Sequence, residues 1–187
     1  ERIIYIKPDL EILKKFVLLN KVIKDLKGIV VPCSKEWYKK NSDDYTSILK
    51  KKGLDLRFEI VDDEIGEFFS TLKIPKGYIL MSVYDKKIYN MNNIYNILYT
   101  IYRKNIPFVG LSEGFVKKGA YISIIPDYYK MGELAANLLE MGPVEYHHTI
   151  EMGEYEPSSY EIYVNSNLMK NFKFNMDMTL EEIKLVK

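Results

Sequence analysis

Polar residues set directly after apolar runs are the groups in this sequence with chemistry to offer. Ser34 follows the run 29–33 (IVVPC), Asp85 closely follows 78–83 (YILMSV), and Ser112 with Glu113 follows 106–111 (IPFVGL). Short, nearly continuous apolar runs are how strands covered on both faces read. In an open parallel sheet, ligands bind outside the carboxyl ends of the strands, where helix N-termini direct free N–H groups inward. Asp85 or Glu113 there would receive an ammonium group, while Ser34, Ser112 and the helix N–H groups would receive a carboxylate. The chemistry is recognition of a small zwitterion. Ser and Asp before helices are also ordinary N-caps, and both uses stand at this point. Trp37 is positioned to stack on a ligand ring or to pack against the core. Asp127, beside Pro126 in a helix first turn, suits the helix dipole.

Other chemistry finds little support. His147 and His148 are adjacent, so on a strand they point to opposite faces, and Glu145 and Glu151 restore no ligand spacing. No G-x-G-x-x-G, phosphate-loop or G-x-S-x-G pattern occurs. The expectation is a protein without catalytic residues, metal or cofactor. Formal charge is +1, from 27 Lys and Arg against 26 Asp and Glu, so no strong field draws it to nucleic acid. Cys33, the single cysteine, reads as a small buried hydrophobe. No apolar run is long enough to span a membrane.

The elements that must position these groups alternate. Residues 2–7 read as a strand, and Pro8 and Asp9 open a helix running to Leu26, closed by Gly28. After strand 29–33, Ser34 caps a helix over 36–52, with Gly53 at its end. Residues 54–60 alternate apolar and polar, as a half-exposed strand near the sheet edge does. A short helix begins at Asp62 and Asp63, then strand 78–83 follows the Pro75-Lys76-Gly77 turn. Ile88, Met91, Ile94, Leu98 and Ile101 form one helical stripe before strand 106–111. A helix runs from Asp127 to Leu139, and Met141-Gly142-Pro143 makes a turn. Strand 147–152, loop 153–159, strand 159–164, a short helix 165–172 and a terminal helix 179–186 complete the chain, the last from the Thr179/Glu182 capping-box spacing. Repeated alternation predicts a three-layer α/β sandwich with a mainly parallel sheet, one domain over 1–187.

Several fragments carry a resemblance. Pro107-Phe108-Val109, Ser112-Glu113, Val116-Lys117-Lys118-Gly119-Ala120 and Asp127-Tyr128-Tyr129-Lys130-Met131-Gly132 occur in an order and spacing similar to the C-terminal portion of ABC-transporter solute-binding proteins of the tryptophan/tyrosine-uptake type. Residues 29–34 resemble the same family's Val-Leu-Tyr-Asn-Pro-Ser element without the Asn-Ser that usually follows, and Lys173 stands where the family has glycine. The resemblance implies a type I periplasmic-binding-protein-like lobe, the C-terminal one of two, with the N-terminal lobe absent from this chain. It implies a small-molecule ligand such as an amino acid, with an aromatic one favoured, and an ABC transporter permease as partner. It also implies an extracytoplasmic location, periplasmic or lipid-anchored at the cell surface. Asp85 follows the matching strand as the family's cleft aspartate does, and Asp127 falls at the family's lobe junction. Together, the strand-end positions and the resemblance give a ligand set of Ser34, Trp37, Asp85, Ser112, Glu113 and Asp127. The alternative is a stand-alone small-molecule-sensing or protein-interaction module. A phosphoacceptor receiver is disfavoured, because Asp62-Asp63 follows the wrong strand and no lysine stands beside Pro107.

Overall fold

The computed structural model describes residues 2–41, 45–140, 151–172 and 174–187. Its strands in chain order are β1 (Arg2–Ile6), β2 (Gly28–Cys33), β3 (Asp55–Ile60), β4 (Tyr78–Met81), β5 (Phe108–Gly110), β6 (Ile122–Pro126), β7 (Glu151–Tyr155), β8 (Tyr160–Asn165) and β9 (Ile183–Val186). The helices are α1 (Ile12–Val22), α2 (Lys35–Asn41), α3 (Tyr45–Lys51), α4 (Ile65–Thr71), α5 (Ile94–Arg103), α6 (Glu113–Lys117) and α7 (Tyr128–Glu140).

One sheet runs β3-β2-β4-β5-β6-β8-β9, parallel from β3 through β6, with β8 antiparallel to β6 and β9 parallel to β8. A separate pair joins β1 and β7 in parallel. Alternate residues of the central strands feed two cores. Ile29, Val31, Cys33, Ile79, Met81 and Val109 pack with Phe16, Leu19 and Val22 of α1 and Leu49 of α3. Val30, Leu80 and Phe108 pack with Phe69 of α4, Ile97 and Ile101 of α5, and Val116 of α6. Helices therefore cover both faces, which makes the predicted three-layer α/β sandwich. Strand β3 is the sheet edge, and its burial falls from Leu56 to an exposed Ile60.

The chain visits β2, crosses to β3 on one side, then returns to β4 on the other. That reversal is a topological switch point, the place where helices leave to opposite faces and a crevice opens. Sequence detail widens it. The β2–β4 ladder ends at Val30 and Leu80. The carbonyls of Lys27 and Cys33 bond toward β3, so Pro32, on the opposite parity, presents a nitrogen without hydrogen to the β4 side.

Several elements differ from the sequence expectations. Residues 179–186 are not a helix: Thr179 N–H and Oγ1 both bond Asp177 Oδ1, and β9 aligns Ile183 with Ile162 and Val186 with Asn165. Burying Val186 in the second core outweighs the capping-box signal. Residues 165–172 form successive turns, because Asn165 Oδ1 accepts the N–H groups of Asn167 and Leu168. Gly153 to Tyr155, expected as loop, pairs with β1. Helix α5 starts only at Ile94, since Asn90 Oδ1 accepts the N–H groups of Asn92 and Asn93 and winds the preceding residues into turns. Helix α1 starts at Ile12 and ends at Val22, and the helix expected over 36–52 is two, α2 and α3. Gly28 begins β2, where a Cβ would meet the Tyr78 ring at 2.3 Å. Strand β6 was not anticipated. Met141, Gly142, Pro143, Glu145, His147 and His148 lie outside the described residues, as does most of the expected strand 147–152.

At the β5–α6 junction, a Cβ on Gly110 would lie 2.4 Å from Phe115 Cβ, an atom fixed to its helix backbone. Gly110→Ala is expected to lower stability by about 1–3 kcal/mol. Urea unfolding of the two proteins measures it, and unchanged stability would show that α6 can shift freely.

Candidate ligand-binding cleft

Beyond the carboxyl ends of β2 and β4 lies an open cleft of about 870 Å³, walled on its other side by the segment that follows β1. Its floor is the switch point. Ser34, 2% exposed, donates its N–H to Asp85 Oδ2 at 2.6 Å. Asp85 Oδ1 accepts the N–H of Lys87 at 3.0 Å, and the Asp85 carbonyl accepts those of Ile88 and Tyr89. One buried carboxylate thus ties the loop after β2 to the loop after β4. Ser34 Oγ accepts the N–H of Trp37 at 3.1 Å and caps α2. Its O–H remains a donor. Trp37 lines the cleft while packing 6.2 Å from the Phe58 ring, so it serves core and cleft together.

Under this floor, Tyr89 donates its O–H to the Pro32 carbonyl at 3.2 Å, and burial holds its hydroxyl far above the usual phenol range. Burial, and then the Asp85 charge, push the Cys33 thiol up to about 12. Cys33 is therefore a packing residue.

The facing wall holds a second ionic group. Lys15 of α1 is 4% exposed, and its Nζ bonds Asp9 Oδ2 at 2.5 Å. Burial pushes the Asp9 carboxyl up and the Lys15 ammonium down, each against the opposing pull of its partner. Nζ also lies 5.5 Å from the centre of the Tyr84 ring, and Asp9 Oδ1 is buried without a hydrogen-bond partner among the described residues. Burial first, then the Asp9 charge, raise the Tyr84 hydroxyl to about 12. At the rim, Lys7 pairs with Glu156 at 2.8 Å and with Glu154 at 3.6 Å.

Of the six residues singled out from the sequence, Ser34, Trp37 and Asp85 line this cleft. Ser112, Glu113 and Asp127 sit at the ends of β5 and β6, along the same sheet edge but outside the cleft lining. Ser112 is the N-cap position of α6, Glu113 pairs with Lys117 at 2.7 Å, and Asp127 Oδ1 caps α7 by accepting the Lys130 N–H. Sequence reasoning missed Asp9 and Lys15 as site groups. The signal was Lys15 itself, on the stripe it shares with Leu18, Leu19 and Val22 at i+3, i+4 and i+7, where an apolar residue belongs. Among the described residues, no three His, Cys, Asp or Glu come together as metal ligands, and no helix is long and apolar enough to cross a membrane.

Neither a family model nor a curated protein matches the sequence. Solved structures do match in fold. CD0873 of Clostridium difficile, a substrate-binding protein with adhesive properties in its ligand-free, open form, superposes with a TM-score of 0.64 at 19% identity, over 97% of this chain and 61% of that one. An ABC domain from Streptococcus pneumonia in complex with L-Trp gives 0.62 at 12% identity, over 95% and 62%. A conserved domain protein of Vibrio cholerae gives 0.61 at 16% identity, over 97% and 62%. The fold is that of periplasmic-binding-type α/β proteins, and the chain spans about three fifths of the length of these structures.

Two outcomes follow from the floor of the cleft. Asp85→Ala leaves the buried Ser34 N–H unpaired and is expected to cost about 1–3 kcal/mol in urea unfolding. A loss below the error of the fit would mean the carboxylate does not hold the two loops. Cys33 is expected to resist iodoacetamide at pH 8 in the folded protein and to react once unfolded. Rapid labelling of the native protein would contradict its burial.

Proposed function

We propose that this chain is the ligand-binding C-terminal lobe of a two-lobed solute-binding component of an ABC importer, taking a small polar organic molecule such as an amino acid. The observation that carries the reading is the cleft at the switch point, floored by a buried carboxylate that has a free lone pair on each oxygen. A cleft of this size at the carboxyl edge of a parallel sheet is where small ligands bind in such folds. The fold likeness to substrate-binding proteins supports the reading, as does the L-Trp held by one of them.

In this reading the protein does no chemistry. It holds its solute and delivers it to a permease outside the cytoplasm, and a second lobe closes over the cleft by hinge motion. Asp85 receives a donor of the ligand, Ser34 offers its hydroxyl, and Trp37 and Tyr84 give an aromatic rim. Ser112, Glu113 and Asp127 lie further along the same edge, where the facing lobe would bring a longer ligand or its own surface against them.

The test is calorimetric titration of the purified protein carrying both lobes with the free amino acids. At least one is expected to bind. Asp85→Asn, which keeps an acceptor oxygen but loses the charge, is expected to weaken binding by roughly tenfold. Unchanged affinity in a folded Asp85→Asn protein would remove Asp85 from the site.

A further inference from the structure

We propose that the buried Asp9–Lys15 pair is a zwitterion clamp, in which Asp9 Oδ1 receives the ammonium group of a free amino acid and Lys15 Nζ receives its carboxylate. The inference rests on the solute-binding reading above and names the residues that fix the ligand class.

The pair is half satisfied on both sides. Asp9 uses Oδ2 on Lys15 and its carboxyl is drawn on by the Leu10 N–H, while Oδ1 is buried and, among the described residues, has no hydrogen-bond partner within normal geometry. Lys15 has three N–H donors, and Asp9 is its one hydrogen-bond acceptor among the described residues. A buried acceptor without a donor is costly, and so is a buried ammonium with donors to spare. Both residues line the cleft. A pair kept only for stability would be poorly chosen, because apolar residues of similar volume commonly serve a buried position as well or better.

The charges select the ligand. A simple anion would satisfy Lys15 and leave Asp9 Oδ1 empty; a simple cation would do the reverse. A neutral sugar offers hydroxyls but balances neither charge. An α-amino acid carries both groups on one carbon, so the two pairs close into a compact ring of alternating charge. Tyr84, whose ring already faces Lys15 Nζ at 5.5 Å, and Trp37 leave an aromatic border beside the clamp for the ligand's side chain.

The experiment titrates the protein carrying both lobes with the proteinogenic amino acids and with neutral monosaccharides, then with L-tryptophan, tryptamine and indole-3-propionate, and with the same three forms of the tightest binder. Parent, Lys15→Met, Asp9→Asn and the double variant Asp9→Leu/Lys15→Met are compared. The parent is expected to prefer the intact amino acid over either truncated form by roughly tenfold or more. Lys15→Met should erase the preference over the amine, and Asp9→Asn the preference over the acid. The double variant guards against a folding artefact: it should melt at or above the parent temperature and bind no amino acid. Amino-acid binding of equal affinity in parent and double variant would overturn the clamp and leave the solute-binding reading standing. Binding of neutral sugars in place of amino acids would also overturn the clamp alone. Absence of binding to any amino acid or sugar would overturn the solute-binding reading itself, and the clamp with it.

Discussion

Between β2 and β4 a backbone ladder stops early and a side chain takes over. Val30 and Leu80 make the last paired positions, and Pro32 has no hydrogen to continue the ladder on the β4 side. Two residues on, at the same parity, the Ser34 N–H is buried and would be unpaired without the Asp85 carboxylate at 2.6 Å. The strands can therefore splay, and open a cleft, without leaving an orphan donor. The start of α2, the turns after β4, and the placement of Trp37 and Tyr84 on the rim follow from that substitution.

The two ionic groups of the cleft are built on different terms. Asp85 has a backbone donor on each oxygen, so its burial is matched by local structure. Asp9 and Lys15 have chiefly each other, and burial works against the charge of both. A site that must grip a charged solute and exclude water needs groups whose hydrogen bonding is incomplete until the solute arrives. The first carboxylate belongs to the scaffold and the cleft together; the second pair sits where a scaffold alone would place hydrocarbon.

The layered fold was legible because its signals are local. The apolar runs at 29–33 and 78–83 are strands with two covered faces, and the alternation after Gly53 is an edge strand. Asp85 was legible for the same reason, since it follows directly on a strand that can be read. The C-terminal quarter was not. Strand β9 exists because β8 offers an edge and the second core offers space for Val186, and neither is visible in residues 179–186 taken alone. The turns at 165–172 depend on the Asn165 side chain bonding forward to two N–H groups and across to the Val116 carbonyl. Asp9 read as an ordinary first-turn residue and only Lys15, breaking the apolar stripe of its helix, gave a signal; that Lys15 meets the Tyr84 ring depends on a loop roughly seventy residues away in the chain.

If the cleft at the β2–β4 switch point holds the solute, the backbone around it must sense that solute. Backbone amide shifts followed by NMR while a mixture of the free amino acids is titrated in test it most directly. Saturable shifts are expected to cluster at Asp9 to Lys15, at Ser34 to Trp37 and at Ser82 to Lys87. Saturable shifts centred instead on the cavity of about 940 Å³ at the opposite end of the sheet, around Lys27, Lys104 and Phe172, or no saturable shifts at all, would contradict it.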